Sequence, residues 1–290
     1  MPLLHASHAV VLAALQGFTE ALPLSRSGHT AAAHLWLDPG SGVASLAPAL
    51  DLGVALALAV ASRARLTTAL SEGVRAIARP ALFRSSPGAR DAVRVTLGVL
   101  VSLLVEHAIA PRVALFHSSP SAAGIGLLVT GIALASTGLA PHLKDLGDED
   151  ATSPGPAGEA PSATAMMLVG AAHGLAIFPG ASRVGAALVL LLWLGARPSR
   201  AVDLTLLVTI PSLLGAAIEG AASAAGEASA LAPETPALLL GALFAFAAAS
   251  LGAMALRALL ARRGLAVLAL WIVPLGLAML AYGRALPYPT

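Results

Sequence analysis

The sequence predicts an all-α, polytopic membrane protein folded as two inverted-topology repeats, with two re-entrant helix-loop-helix pairs and about six transmembrane helices. Four observations carry this expectation. Hydrophobic residues make up 57% of the chain and charged residues only 11%, against roughly 25% charge in an ordinary soluble domain. The apolar runs are long, rich in Ala, Leu, Val and Gly, and show no strand-like alternation, so helices rather than a barrel satisfy the backbone in lipid. A broken polar segment also occurs twice. Gln16–Thr30 (QGFTEALPLSRSGHT) and His173–Ala187 (HGLAIFPGASRVGAA) align without a gap, the offset between Arg26 and Arg183 being 157 positions. That offset lays Gln16-Gly17 on His173-Gly174, Ser25 on Ser182, Gly28 on Gly185 and Trp36 on Trp193. Finally, the basic residues concentrate in alternate connections, as membrane orientation demands.

Taken in order, Leu3–Leu22 is apolar but runs into a polar motif and Pro23, and Thr30–Leu37 is too short to cross, since a span needs about 20 residues. Residues 3–37 therefore read as a re-entrant pair, entering and leaving on one side. Spans follow near 44–62, 93–110 and 122–141. Lys144–Ala163 (KDLGDEDATSPGPAGEAPSA) is acidic and rich in Pro, Gly and Ser, the composition of a solvated linker. The first repeat thus occupies 1–143, the linker 144–163 and the second repeat 164–290. The latter has a re-entrant pair near 164–195 and spans near 202–220, 236–257 and 264–283.

Three crossings per half is an odd number, so the halves have opposite orientation. The connection over residues 63–94 holds Arg63, Arg65, Arg75, Arg79, Arg84, Arg90 and Arg94, and Lys144, Arg197, Arg200, Arg257, Arg262 and Arg263 share its side by parity. The other side has only Arg112 and Arg284, with Glu227 and Glu234. The positive-inside rule places the arginine-rich side in the cytoplasm and the N-terminus outside. The net charge of +2 then serves orientation, and no nucleic-acid partner is expected. The chain has no cysteine, which excludes disulfides and thiolate metal sites. Its N-terminus has neither a basic leader nor a cleavage site, so no removable signal peptide is expected.

The chemistry concentrates in the two polar segments. Gln16 and Glu20 share a face of a helical arm. A carboxylate at this depth is costly and points to function, or to a structural pair with an arginine. His29 follows a Ser-Arg-Ser-Gly turn; it is either a satisfied structural residue or a group that moves protons or attacks phosphorus. His5, His8, His34, His107, His117 and His142 lack such company and read as surface or interface residues. Arg183 stays ionised and needs an anion. Pro179-Gly180-Ala181-Ser182 forms a turn into a helix whose free N–H groups favour phosphate, although an Arg183–Glu20 pair is the alternative. Trp36 and Trp193 read as packing or interface aromatics.

At these two segments the sequence resembles the undecaprenyl pyrophosphate phosphatase family, also called bacitracin-resistance proteins. The first family motif, (E/Q)GxTExLPxSSxGH, reads QGFTEALPLSRSGH over Gln16–His29, and the second, PGxSRSGxT, reads PGASRVGAA over Pro179–Ala187. Thr209-Ile210-Pro211 also fits. The resemblance implies a membrane enzyme that removes the terminal phosphate of undecaprenyl diphosphate, recycling the lipid carrier of cell-wall glycans. It further implies a divalent cation (Mg or Ca), held at Glu20, and a homodimer. By motif position Glu20, His29 and Arg183 match the essential acid, histidine and arginine. Gln16, Ser25, Arg26 and Ser27 from the first segment, with His173, Gly180 and Ser182 from the second, are the expected substrate-binding residues. Several family hydroxyls are absent: Arg26 stands at the serine sometimes assigned as nucleophile, and Val184 and Ala187 replace a serine and a threonine. His173 stands where a glutamine is usual.

The expectation is a polyprenyl diphosphate phosphatase of the bacterial inner membrane, with Arg183 and Arg26 neutralising phosphate, Glu20 holding the metal or acting as base, and His29 as proton donor or attacking group. The alternative is a transporter of a phosphorylated polyprenyl lipid, since inverted repeats around a midplane anion site also suit alternating access.

Overall fold

A computed structural model of the protein describes residues 2–37, 45–140, 161–226, 235–262 and 264–285, with no strand among them. The first re-entrant pair is α1 (Pro2–Ala21) and α2 (Arg26–Leu37). Next come α3 (Ala47–Ala61), α4 (Arg63–Ala78), the single turn α5 (Leu82–Ser85), α6 (Pro87–Val113) and α7 (Pro120–Ser136). The second half holds α8 (Ala163–Leu175), α9 (Arg183–Trp193), α10 (Pro198–Gly226), α11 (Thr235–Ala261) and α12 (Ala269–Ala285). Local chemistry sets several starts. Ser86, Ser119, Ser162 and Ser182 each accept a hydrogen bond from the backbone N–H three residues on, at 3.0–3.2 Å, and Pro87 and Pro120 occupy first-turn positions where a missing N–H costs nothing.

The six expected spans fall on α3, α6, α7, α10, α11 and α12. Among the described residues five helices are long and apolar enough to cross alone, and the sixth candidate is α3 with α4, which meet at 86°. At the rise of an α-helix, α8 and α9 are only about 20 and 17 Å long, too short for a hydrocarbon core of about 30 Å. The repeat is visible in the pairings: α1 packs along α11 as α8 packs along α6, while α3 meets α10 and α7 meets α12 between the halves. Both hairpins resume their helix at the corresponding arginine, Arg26 and Arg183. The core gathers Leu50 and Leu58 of α3, Leu127 and Leu134 of α7, Leu188, Leu191 and Leu192 of α9, and Leu204 and Leu206 of α10. The aliphatics left outside, such as Leu104, Val129, Leu251 and Leu270, face where lipid lies.

One expectation is corrected. The arginine-rich stretch 63–94 is not merely a connection: it contains α4 and α5 and begins α6. Counting its charges for orientation hid a helical period, because Leu66, Leu70, Val74 and Ile77 recur at spacings of three and four. The linker, up to residue 160, lies outside the described residues, as do His142, Lys144, Glu227, Glu234 and Arg263.

Candidate functional site

The two hairpin tips meet. The first turn, at Leu22–Ser25, closes with Ser25 in the left-handed region at φ 73°, where a side chain is disfavoured. Ser25 Oγ accepts from Gly28 N–H at 3.1 Å and caps α2. The second turn runs through Gly180 at φ +80°, and the Gly180 N–H donates to Ser27 Oγ of the first hairpin at 3.0 Å. A Cβ on Gly180 would lie 1.9 Å from Ala123 O, and one on Gly126 would lie 2.1 Å from Pro179 O. Only glycine at both positions lets the second tip rest on α7. Thr130 Oγ1 secures the contact, accepting from Ser182 N–H at 3.0 Å and donating to Gly180 O at 3.4 Å.

Between the tips lies a cavity of about 90 Å³, with room for several waters or a small anion in their place. Thr19, Glu20, Arg26 and Ser27 line it from the first hairpin, and Ala176, Ile177, Ala181, Ser182 and Arg183 from the second. Leu213 and Ala216 of α10 complete the wall. Arg26 pairs with Asp51 of α3, and its Nε lies 3.6 Å from Glu20 Oε2. Arg183 Nη2 donates to Glu106 Oε1 of α6 at 3.0 Å. The Arg183–Glu20 pair is therefore not formed; each pseudo-equivalent arginine has a carboxylate from a different spanning helix. The α2 and α9 N-termini both open onto this cavity, so two helix dipoles add positive potential there.

Of the expected site residues, Glu20, Arg26, Ser27, Ser182 and Arg183 converge on the cavity, and Gly180 sits at the tip contact. Ser25 and His29 lie behind it. His29 Nδ1 is 3.0 Å from Ser25 O, and its Nε2 accepts from Trp271 Nε1–H at 2.8 Å. Those partners select the tautomer protonated at Nδ1, which donates to Ser25 O. His173 is fully buried, with Nδ1 2.8 Å from Ser102 Oγ and Nε2 3.3 Å from Thr209 Oγ1. Gln16 lies one turn before Glu20 on α1 and does not line the cavity. His34, His107 and His117 are exposed, while the side chains of His5, His8 and Trp36 are outside the described set. Trp193 donates to Ser136 Oγ at 3.0 Å, an anchoring contact.

Four residues that matter here escaped sequence reading: Asp51, Glu106, Thr130 and Trp271. A signal existed for two of them. Asp51 and Glu106 are the sole carboxylates of the spans at 44–62 and 93–110, and an ionisable group within a span marks a site by default. Nothing in the sequence singles out Thr130 among the hydroxyls, or Trp271 among the aromatics. For the expected cation, the described residues contain no cluster of three or more His, Cys, Asp or Glu side chains. A cation at Glu20 fits only as a hard ion sharing its shell with substrate phosphate oxygens, the usual situation for Mg²⁺.

Fold and site together define a polytopic helical membrane protein with a polar, ion-paired centre enclosed between two re-entrant tips. The chain belongs to the family of the bacitracin resistance protein BacA, whose model matches residues 9–278. Among its relatives, the undecaprenyl-diphosphatase 1 of Rhodospirillum rubrum is 33% identical over 293 residues, covering 94% of this chain and 93% of that protein. The undecaprenyl-diphosphatase of Korarchaeum cryptofilum is 30% identical, covering 72% of this chain and 74% of its own. That of Methanothrix thermoacetophila is 31% identical, covering 73% of each.

Proposed function

We propose that the protein is a polyprenyl diphosphate phosphatase that releases phosphate from undecaprenyl diphosphate and so recycles the lipid carrier used for cell-wall synthesis. The observation that carries this reading is the placement of Glu20, Arg26 and Arg183, from both hairpins, around one cavity under two helix N-termini. Phosphoryl transfer requires positioning and charge neutralisation above all, and this arrangement offers both. An apolar groove of about 290 Å³ adjoins the cavity between α7, α8 and α9, sharing Ala176, Ala181 and Ser182 with it. Its edges, Ile125, Val129 and Leu175, are exposed, so a prenyl tail can lie there while its diphosphate reaches the polar centre.

In this reading Arg183 and Arg26 donate to the phosphate oxygens, with Ser27 and Ser182 beside them. Water attacks the terminal phosphorus, the bond to the bridging oxygen breaks, and the water proton passes to Glu20. The products are inorganic phosphate and the polyprenyl monophosphate. Glu20 would also be the protein ligand for a divalent cation, which when bound would neutralise diphosphate charge. His29 acts from behind, holding the Ser25 carbonyl and with it the strained start of α2. A serine nucleophile at position 26 is absent, which favours water. The bacterial inner membrane as location, bacitracin resistance as phenotype and a homodimer as assembly belong to the same proposal. A transporter without hydrolysis is less supported, because the relatives named above are phosphatases.

The test is phosphate release from polyprenyl diphosphate by the purified protein. Glu20→Gln is expected to lower turnover by at least about 100-fold, the scale of a positioned acid–base group, with folded yield unchanged. Failure of the wild-type protein to release phosphate would overturn the reading, and near-normal turnover of the variant would remove Glu20 from it.

A further inference from the structure

A second cavity, of about 550 Å³, lies at the bend between α3 and α4, against α10 and α11. Apolar Ala57, Val60, Ala253 and Met254 line it together with Arg63, Arg65, Arg257 and Asp203. Val60 is 50% and Met254 67% exposed, so the opening lies on the lipid-facing side of the bundle. From Asp203 in this cavity to Leu213 in the phosphatase centre is ten residues along α10, about 15 Å at helical rise. The two sites are distinct.

Three arginines and one carboxylate line the cavity. Arg257 donates to Asp203 at 2.8 Å and to the Ala61 carbonyl at 3.1 Å, pinning the bend. Arg65 Nε lies 3.5 Å from the same Asp203 and shares Asp91 more distantly. Asp91 is already engaged by Arg200. Arg63, the first residue of α4, is exposed and has no ion-pair partner among the described residues. The cluster therefore carries uncompensated positive charge in a cavity whose other lining is largely apolar. Its depth follows from an independent feature. The 86° bend turns α4 across the axis of α3, and Leu70, Val74 and Ile77 of α4 are 59%, 66% and 77% exposed along one face. A helix with an exposed apolar stripe and basic flanks lies in the membrane interface, which sets Arg63 and Arg65 at headgroup level.

We propose that this cavity binds an anionic phospholipid of the arginine-rich, cytoplasmic leaflet. The phosphate sits among Arg63, Arg65 and Arg257, and an acyl chain runs along the Val60–Met254 wall. Guanidinium groups pair with phosphate oxygens through planar donors, and basic residues at this depth strengthen anionic-lipid binding by about five-fold each.

Native mass spectrometry of the full-length protein, released from detergent micelles with either phosphatidylglycerol or phosphatidylcholine, tests this. Phosphatidylglycerol should be retained in preference to phosphatidylcholine. Arg63→Gln should weaken retention about five-fold and Arg63→Glu about 25-fold, with phosphate release by both variants at the wild-type level as the check on folding. Arg63→Glu also places an acid in a first helical turn, where it is tolerated. Equal retention of the two lipids, or retention of phosphatidylglycerol unaltered by Arg63→Glu, would overturn the proposal. Displacement of the lipid by millimolar inorganic phosphate would overturn it in favour of a free-anion site.

Discussion

Replacing Arg26 by serine, and then Asp51 by asparagine in the same chain, separates a substrate-binding arginine from a structural one. Asp51 is almost wholly enclosed, with 6% of its side chain exposed, while Arg26 retains 29%. Removing one partner of a buried ion pair costs about 3–5 kcal/mol, because the other charge is left without compensation. The partial opening of Arg26 to the cavity places Arg26→Ser at the low end, about 3 kcal/mol by the same scale. The double variant removes the Asp51 charge but leaves Glu20, which lies 3.6 Å from Arg26 in the wild-type protein, without its cation, and is expected to recover about half of the loss. Diphosphate affinity should behave differently. Charge-assisted hydrogen bonds contribute about 1.5–3 kcal/mol, so both Arg26→Ser and the double variant should bind a hydrolysis-resistant prenyl diphosphate about 10- to 100-fold more weakly. Thermal melting in detergent follows stability, and calorimetric titration follows affinity. Recovery of affinity together with stability in the double variant would refute the two-arginine arrangement and leave Arg183 alone on the substrate.

Other outcomes follow from the same contacts. Thr130→Val leaves the Ser182 N–H without its acceptor, which costs about 1–3 kcal/mol; melting temperature and turnover should both fall, and an unchanged kcat would separate the second tip from catalysis. Trp271→Phe keeps a ring over His29 but deletes its hydrogen bond, so kcat should drop about five-fold with KM unchanged, the effect of roughly one hydrogen bond. The pH–rate profile should keep its shape, and a displaced profile would make His29 a proton-transfer group. The lack of cysteine makes topology accessible: a cysteine at Ser119 should react with an impermeant reagent from outside intact cells and one at Ser85 should not. Labelling at Ser85 from outside would invert the orientation.

The helical architecture was legible because lipid leaves few options: apolar length gives spans, and polar interruptions give re-entrant turns. The repeat offset predicted that Arg26 and Arg183 are counterparts, and both do begin a helix at the same cavity. Their partners were not legible. Asp51 and Glu106 do not correspond under the offset, which lays Val208 on Asp51 and Arg263 on Glu106. Local motif reading also could not separate residues facing the cavity from those behind it. His29 and Ser27 stand two positions apart in one motif, yet a single helical turn sends Ser27 to the opposite tip and His29 to Trp271. The α4 helix was hidden for another reason: the same arginines that report sidedness also form the polar face of an amphipathic helix.

The glycine contacts at the second tip have a consequence for how substrate arrives. Gly126 and Gly180 bring backbone against backbone, with no side chain between them that could rotate aside. A packed interface of that kind moves as a whole or not at all, so the tip travels with α7. Opening the centre by swinging this hairpin outward is therefore disfavoured, and traffic falls on the lipid. The prenyl chain has to slide laterally through the groove beside α7 and bend to deliver its headgroup. In a membrane, turnover should then vary with bilayer fluidity and prenyl chain length, as in a fixed dock served by a mobile carrier.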